Sequence, residues 1–235
     1  MFIADWLDVI FVHYRIAPEH LAPLVPLELD LFDGDAYVSL VAFRQSRLRP
    51  TMGGRLGEIL AAPLAHHEFL NVRTYVRHGD HRGIFFMVEW IPNRLAAFIG
   101  PRTYGLPYRL GKLRYDGMRR EVEAAGRRFR MEAAHDLGGT AMRLAGDQLD
   151  DFLLERYSAF TRRRQMIRRF DVQHLPWPRR RVDVKMIDTS LLELSGGWIE
   201  HVQFACAHHS PGVRDVIISA PRRVPRPSPR RPVRG

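Results

Sequence analysis

Residues 100–116, GPRTYGLPYRLGKLRYD, hold three tyrosines, three arginines and a lysine between glycine turns. Phenols such as Tyr104 and Tyr108 give or accept one proton, and the Arg109 guanidinium is a permanently charged fork suited to a carboxylate or an enolate. Lys112 raises a different chemistry, because a desolvated primary amine forms an imine with a carbonyl substrate. Two further candidates stand upstream: Glu68 in EFLNVRTYV and His13 in WLDVIFVHYRI. A carboxylate or an imidazole in a desolvated wall works as a general acid or base.

These side chains need strands to hold them, and the flanking residues have strand character. With a period of two, EFLNVRTYV places Glu68, Leu70, Val72, Thr74 and Val76 on one face and Phe69, Asn71, Arg73, Tyr75 and Arg77 on the other. Glu68 thus shares a face with aliphatics, where burial raises a carboxyl pKa unless a cation pairs with it. His13 lies in line with Leu7, Val9 and Phe11. A polar spot inside an apolar wall is one reading of the two strands together. The other is that Tyr104, Tyr108 and Arg109 cap the end of a sheet by stacking and hydrogen bonding.

Other β-branched and aromatic runs extend the pattern: DAYVSLVAF, GIFFMVEWI, KLRYDGM, REVEAAGRRFRMEAA, RRFDVQHL, RVDVKMIDTSLLEL and HVQFACAHH. Helices are few and short. APEHLAPLVP and NRLAAFIGPRTYG are two, and GDQLDDFLLERY begins at an Asp147 cap with Leu149, Phe152, Leu153 and Arg156 on one stripe. The expected fold class is α+β and strand-dominated, a large antiparallel sheet curled into a barrel or cone with a few packed helices. One domain over residues 1–221 is expected, followed by an unpacked Arg/Pro-rich tail over 222–235.

Composition narrows the function classes. The formal charge is +10, but the C-terminal RRVPRPSPRRPVRG supplies six arginines and no acid, leaving the remainder at about +4. Proline at nearly every third position there blocks helix and ladder, so the tail reads as disordered and solvated, and a nucleic-acid partner is not expected. Asp150, Asp151, Glu155 and Asp171 flank the basic RRRQMIRRF, which therefore reads as a salt-bridged surface. The one cysteine, Cys206, allows no internal disulfide, and the N-terminal segment has Asp5 and Asp8 where a signal peptide would have basic residues. A cytoplasmic protein with no membrane segment is expected, and a homo-oligomer stays open. His66 with Glu68, and the pair His208 and His209, lack a third ligand at a recognisable spacing, so no metal and no cofactor are expected.

The ordered run VHYRIAPEHLAPLVPLELDLFDGDAYVSLVAF, EFLNVRTYV, RGIFFMVEW, YGLPYRL, LERY, HLPW and HHSPGVRDVIISAPRRV resembles the uncharacterised DUF2071 (YqjF-like) family over residues 6–224. That family is related to acetoacetate decarboxylase, and the resemblance implies a cone-shaped antiparallel barrel with a central cavity. Acetoacetate decarboxylases place two adjacent lysines after a proline and before Leu-Gly, one of which forms the Schiff base. In PYRLG those places fall to Tyr108 and Arg109, while the decarboxylase glutamate corresponds to Glu68. The resemblance therefore implies a retained pocket without its amine. Glu68 and Tyr108 are the expected catalytic groups, and Arg109, Tyr104, His13, Arg73 and Tyr75 the expected ligand-binding groups. The expected partner is a small organic acid or aromatic. Catalysis and simple binding both stay open, as does a purely structural cavity.

Overall fold

Alternating apolar residues rich in β-branched and aromatic types make the N-terminal half a succession of long strands. In the computed structural model, which describes residues 1–134 and 147–225, these are β1 (Phe2–Ile16), β2 (Glu28–Leu29), β3 (Ala36–Pro50), β4 (His67–His78), β5 (His81–Ile91) and β6 (Tyr108–Leu110). A smaller group follows: β7 (Lys112–Asp116), β8 (Arg119–Ala124) and β9 (Arg127–Ala133). The rest are β10 (Ser158–Arg163), β11 (Met166–Gln173), β12 (Arg180–Arg181), β13 (Val184–Asp188), β14 (Val202–Ile218) and β15 (Arg222–Val224).

Seven strands run in the order β14-β1-β3-β4-β5-β10-β11. The last pairs back onto the first through Val172 with Ile218 and Gln173 with Ile217, so the hydrogen-bonded sheet closes into a ring. Closure removes the free edges that an open sheet of this length would expose. The ladders are antiparallel except where β5 meets β10 and β6. A second sheet, ordered β13-β9-β8-β7, lies against the outside.

Two apolar cores result, one on each face of the ring. The outer core joins Val12, Leu40, Val72 and Trp90 of the ring to Val122, Phe129 and Met131 of the second sheet and to Leu191 and Trp198. The inner core is aromatic, with Phe11, Phe43, Phe69, Phe170 and Trp177. Among the described residues four α-helices pack on these sheets: α1 (Pro18–Leu21), α2 (Gly54–Ala61), α3 (Arg94–Thr103) and α4 (Gln148–Leu154).

The strand-dominated α+β expectation holds. Gly53, left-handed at φ 103°, stands just before the first turn of α2. Two details differ from expectation. The run expected as one strand from Arg181 to Leu194 breaks at Thr189 into a short 3-10 helix over Ser190–Ser195. The tail packs further than expected, because the proline-free triplet Arg222–Val224 pairs with β11 and Arg222 bonds Asp171 at 2.8 Å. Residues 226–235 lie outside the described residues. No helix among the described residues is long and apolar enough to cross a membrane.

Candidate functional site

A cavity of about 260 Å³ opens inside the ring, lined by side chains from all seven ring strands and from α3. α3 begins at Asn93, whose side chain accepts the Ala96 backbone N–H at 3.0 Å. It turns Ala96, Ile99, Gly100 and Thr103 toward the cavity, the spacing of one helical face. Tyr104 caps its C-terminus, and Gly105, at φ 76°, reverses the chain into β6. The wall is largely apolar, with Trp6, Phe11, Phe43, Phe86, Phe170 and Trp177.

Across this wall runs one polar row. Phe11 of β1 stands opposite Val41 of β3, Val41 opposite Asn71 of β4, Asn71 opposite Glu89 of β5, and Glu89 beside Tyr108 of β6. Directly opposed residues on paired strands project to the same face. All five line the cavity. Glu89 is 3% exposed, and its Oε2 has no hydrogen-bond partner. Burial pushes its carboxyl up to about 8, with the Arg73 charge pulling the other way. At neutral pH it is therefore mainly the neutral acid, and it trades its proton within the working range of a general acid or base. Burial, followed by the Glu89 charge, holds the Tyr108 phenol well above its ordinary value, so Tyr108 stays a neutral donor. A side chain on Gly100 would overlap the Tyr108 ring, so glycine at that position lets the ring lie against α3.

Arg73 lies in the next row. Its guanidinium sits 5.6 Å from the centre of the Phe11 ring, its Nε has no partner, and its Nη2 donates to the Leu153 carbonyl at 3.4 Å. Burial lowers its pKa, yet an arginine stays charged at any working pH. The neighbouring cation, Arg156, is already neutralised by Asp30 at 2.9 Å. Tyr75 donates to the Leu153 carbonyl at 2.8 Å, Ser39 Oγ meets the Tyr75 hydroxyl at 2.5 Å, and His13 Nδ1 meets Ser39 Oγ at 2.6 Å. Burial, reinforced by the nearby Arg73 guanidinium, holds His13 well below its usual value, so its ring is neutral.

Of the expected site residues, Tyr104, Tyr108 and Arg73 line the cavity, while Tyr75 and His13 lie buried behind it. Two do not join them. Glu68 does share a face with Leu70 and Val72, but that face is the outer one. Its carboxylate is partly exposed, 4.0 Å from Arg44, which stands opposite it on β3. Arg109 follows Tyr108 on β6 and so points to the other side. It is exposed, and its Nη1 donates to the Leu194 carbonyl at 2.9 Å. The chain's two lysines, Lys112 on β7 and Lys185 on β13, are both exposed and neither lines the cavity.

Glu89 escaped the sequence reading because of a bulge. β4 pairs Val72 with Val88 and then Arg73 with Phe86, skipping Met87. Strict alternation would send Glu89 outward with Phe85 and Met87. The extra residue flips the parity and turns Glu89 inward with Ile84 and Phe86. One signal was present: a lone carboxylate in the otherwise apolar run IFFMVEWI.

The fold resembles that of acetoacetate decarboxylase-like proteins. The fold superposes on an acetoacetate decarboxylase-like enzyme from Sphingomonas wittichii RW1 with a TM-score of 0.62 at 18% identity, covering 95% of this chain and 92% of that one. It superposes on the enduracididine biosynthesis enzyme MppR, complexed with the condensation product of pyruvate and imidazole 4-carboxaldehyde, with a TM-score of 0.63 at 12% identity, covering 94% and 88%. Identities this low speak for the fold alone. The family model of the uncharacterized conserved proteins DUF2071 matches residues 3–214, and the chain belongs to that family. It is 31% identical over 180 residues to the uncharacterized protein YqjF of Bacillus subtilis strain 168, covering 73% of this chain and 72% of that protein.

Proposed function

We propose that the cavity takes a small organic acid with an aromatic or aliphatic body and that Glu89 exchanges a proton with it. The observation behind this reading is the Glu89 carboxyl: buried, without a partner on Oε2, raised to about 8 and facing a largely apolar space. Arg73 supplies the charge for the ligand's carboxylate or enolate, a charged hydrogen bond worth roughly 1.5–3 kcal/mol. Tyr108 and Asn71 flank Glu89 and offer neutral hydrogen bonds to a carbonyl oxygen. The aromatic wall takes the apolar body.

Imine chemistry is not part of the proposal. Neither lysine reaches the cavity, and the position where the decarboxylases keep their reactive amine holds the Tyr108 phenol. What remains is proton transfer at a carbon or oxygen next to a carbonyl, with no covalent link to the protein.

The test is a thermal-shift series with benzoate, phenylacetate and phenylpyruvate, since a ligand that binds only the folded state raises Tm by mass action. Deuterium exchange at the phenylpyruvate CH2 beside its ketone, followed by NMR, then reports proton transfer. Binding together with exchange that Glu89→Gln abolishes supports the proposal. Binding without exchange reduces the protein to a carrier, and the absence of any shift sinks both. Borohydride added with acetoacetate should trap no adduct; an adduct on Lys112 would restore imine chemistry.

A further inference from the structure

Behind the cavity, on the far side of the Phe11 ring, three potential metal ligands meet. His13 of β1 pairs directly with Cys206 of β14, and His208 lies two residues further along β14 on the same face. One ligand atom from each lies within 4.8 Å of the other two. His13 and His208 are 0% exposed, Cys206 is also buried, and the two imidazole rings meet edge to face at 5.3 Å.

The hydrogen bonds fix which nitrogen of each ring bears the proton. The single Tyr75 hydroxyl proton goes to the Leu153 carbonyl, so Ser39 Oγ donates to the Tyr75 oxygen. Ser39 has then used its proton, and His13 must donate to it from Nδ1. The bare lone pair of His13 is on Nε2, a buried atom with no partner. In His208, Nε2 lies 3.0 Å from Asp150 Oδ1, an ionised carboxylate that also accepts from Arg181 at 2.9 Å. His208 therefore donates from Nε2, and its bare lone pair is on Nδ1, which is likewise buried without a partner. Burial pushes the Asp150 carboxyl up, but the hydrogen bonds from His208 and Arg181 outweigh it and hold it well below the usual range.

Two buried lone pairs with no donor beside a buried thiol are costly in a folded protein. They are also the donor set of a metal centre. A hydroxyl or carboxylate that accepts from the second imidazole nitrogen, fixing tautomer and ring angle, is the usual outer shell of a metal-bound histidine. We infer that His13, Cys206 and His208 form a buried site for one thiophilic d10 metal ion, Zn2+ or Cu+. Metal bonds of about 2.0–2.3 Å require ligand atoms roughly 3.3–3.8 Å apart, so the three atoms close by about 1 Å around the ion. The Cys206 thiol loses its proton to solvent as the metal binds. None of the three residues lines the cavity, so the ion is structural. It ties β1, β14 and, through Asp150, α4 together behind the substrate space.

Titration of the chelator-treated full chain with Co2+ tests this, because Cys206 is the one cysteine and any thiolate-to-cobalt charge-transfer band must come from it. One equivalent should saturate the band. Zn2+ should bleach it, or Cu+ should under anaerobic conditions, which tells the two ions apart. The preferred ion should also raise Tm by about 5 °C at roughly 100 times Kd. Cys206→Ala and His208→Gln should lose binding at least 100-fold, and Asp150→Asn, a positioning change, roughly 10- to 100-fold. The exposed His66→Gln should leave binding unchanged. If a variant fails to fold, the wild-type spectrum still decides. The absence of a cobalt band, together with no Tm rise for either Zn2+ or Cu+, overturns the inference.

Discussion

Glu68 and Glu89 sit on neighbouring strands of one sheet and live in different solvents. Glu68 faces outward, partly wet, beside Arg44. Glu89 faces the cavity, dry, with an oxygen that bonds nothing. Tyr108 and Arg109 repeat the contrast between adjacent residues: the phenol lines the cavity and the guanidinium lies in solvent against the Leu194 carbonyl. Residue type does not separate Glu68 from Glu89. What separates them is where the ring places them: Glu89 is sealed in the cavity, where burial raises its carboxyl, and Glu68 stands at a partly exposed spot on the outer face.

The sharpest way to break this contrast is to titrate stability. The unfolded chain releases the Glu89 proton near the ordinary value of 4.5, while the folded protein keeps it to about 8. Between those values the unfolded state binds fewer protons, so stability is fully present below about 4.5 and falls as pH rises through 8. Glu89→Gln removes that fall. Relative to wild type the variant should gain on the order of 3 kcal/mol by pH 9 and nothing at pH 4, measured by urea unfolding across pH. A Glu89→Gln profile that runs parallel to wild type across this range would erase the distinction drawn here.

Ligand binding comes next. Arg73→Met should weaken benzoate about 10- to 100-fold and benzamide far less, since only the acid uses the charge. Arg109→Met, one strand edge away, should weaken neither. Equal losses for acid and amide in Arg73→Met would make that arginine a packing residue. Gly100→Ala should destabilise by roughly 1–3 kcal/mol, because the added methyl overlaps the Tyr108 ring, and should also shrink the cavity. Thermal midpoints with and without benzoate separate those two effects. The smallest expected change is in the stability of Arg109→Met, within about 0.5 kcal/mol of wild type by the same unfolding assay, as for an ordinary surface substitution.

The sequence by itself determined the strand content, the α+β class and the capped helix at Asp147. Each depends on local chemistry: alternation, β-branching, a side-chain cap. It also placed Glu68 correctly among the aliphatics of β4, but which face of a strand becomes the inside of a closed ring is not written in the strand. Ring closure through Val172 and Ile218 decided that. The bulge at Met87 is a pairing event between two strands, and it alone turned Glu89 inward against its own alternation. The meeting of His13 with Cys206 and His208 spans 193 to 195 residues of chain and exists only because β1 and β14 pair. Such contacts are properties of register and closure, which long-range pairing fixes and local spacing cannot encode.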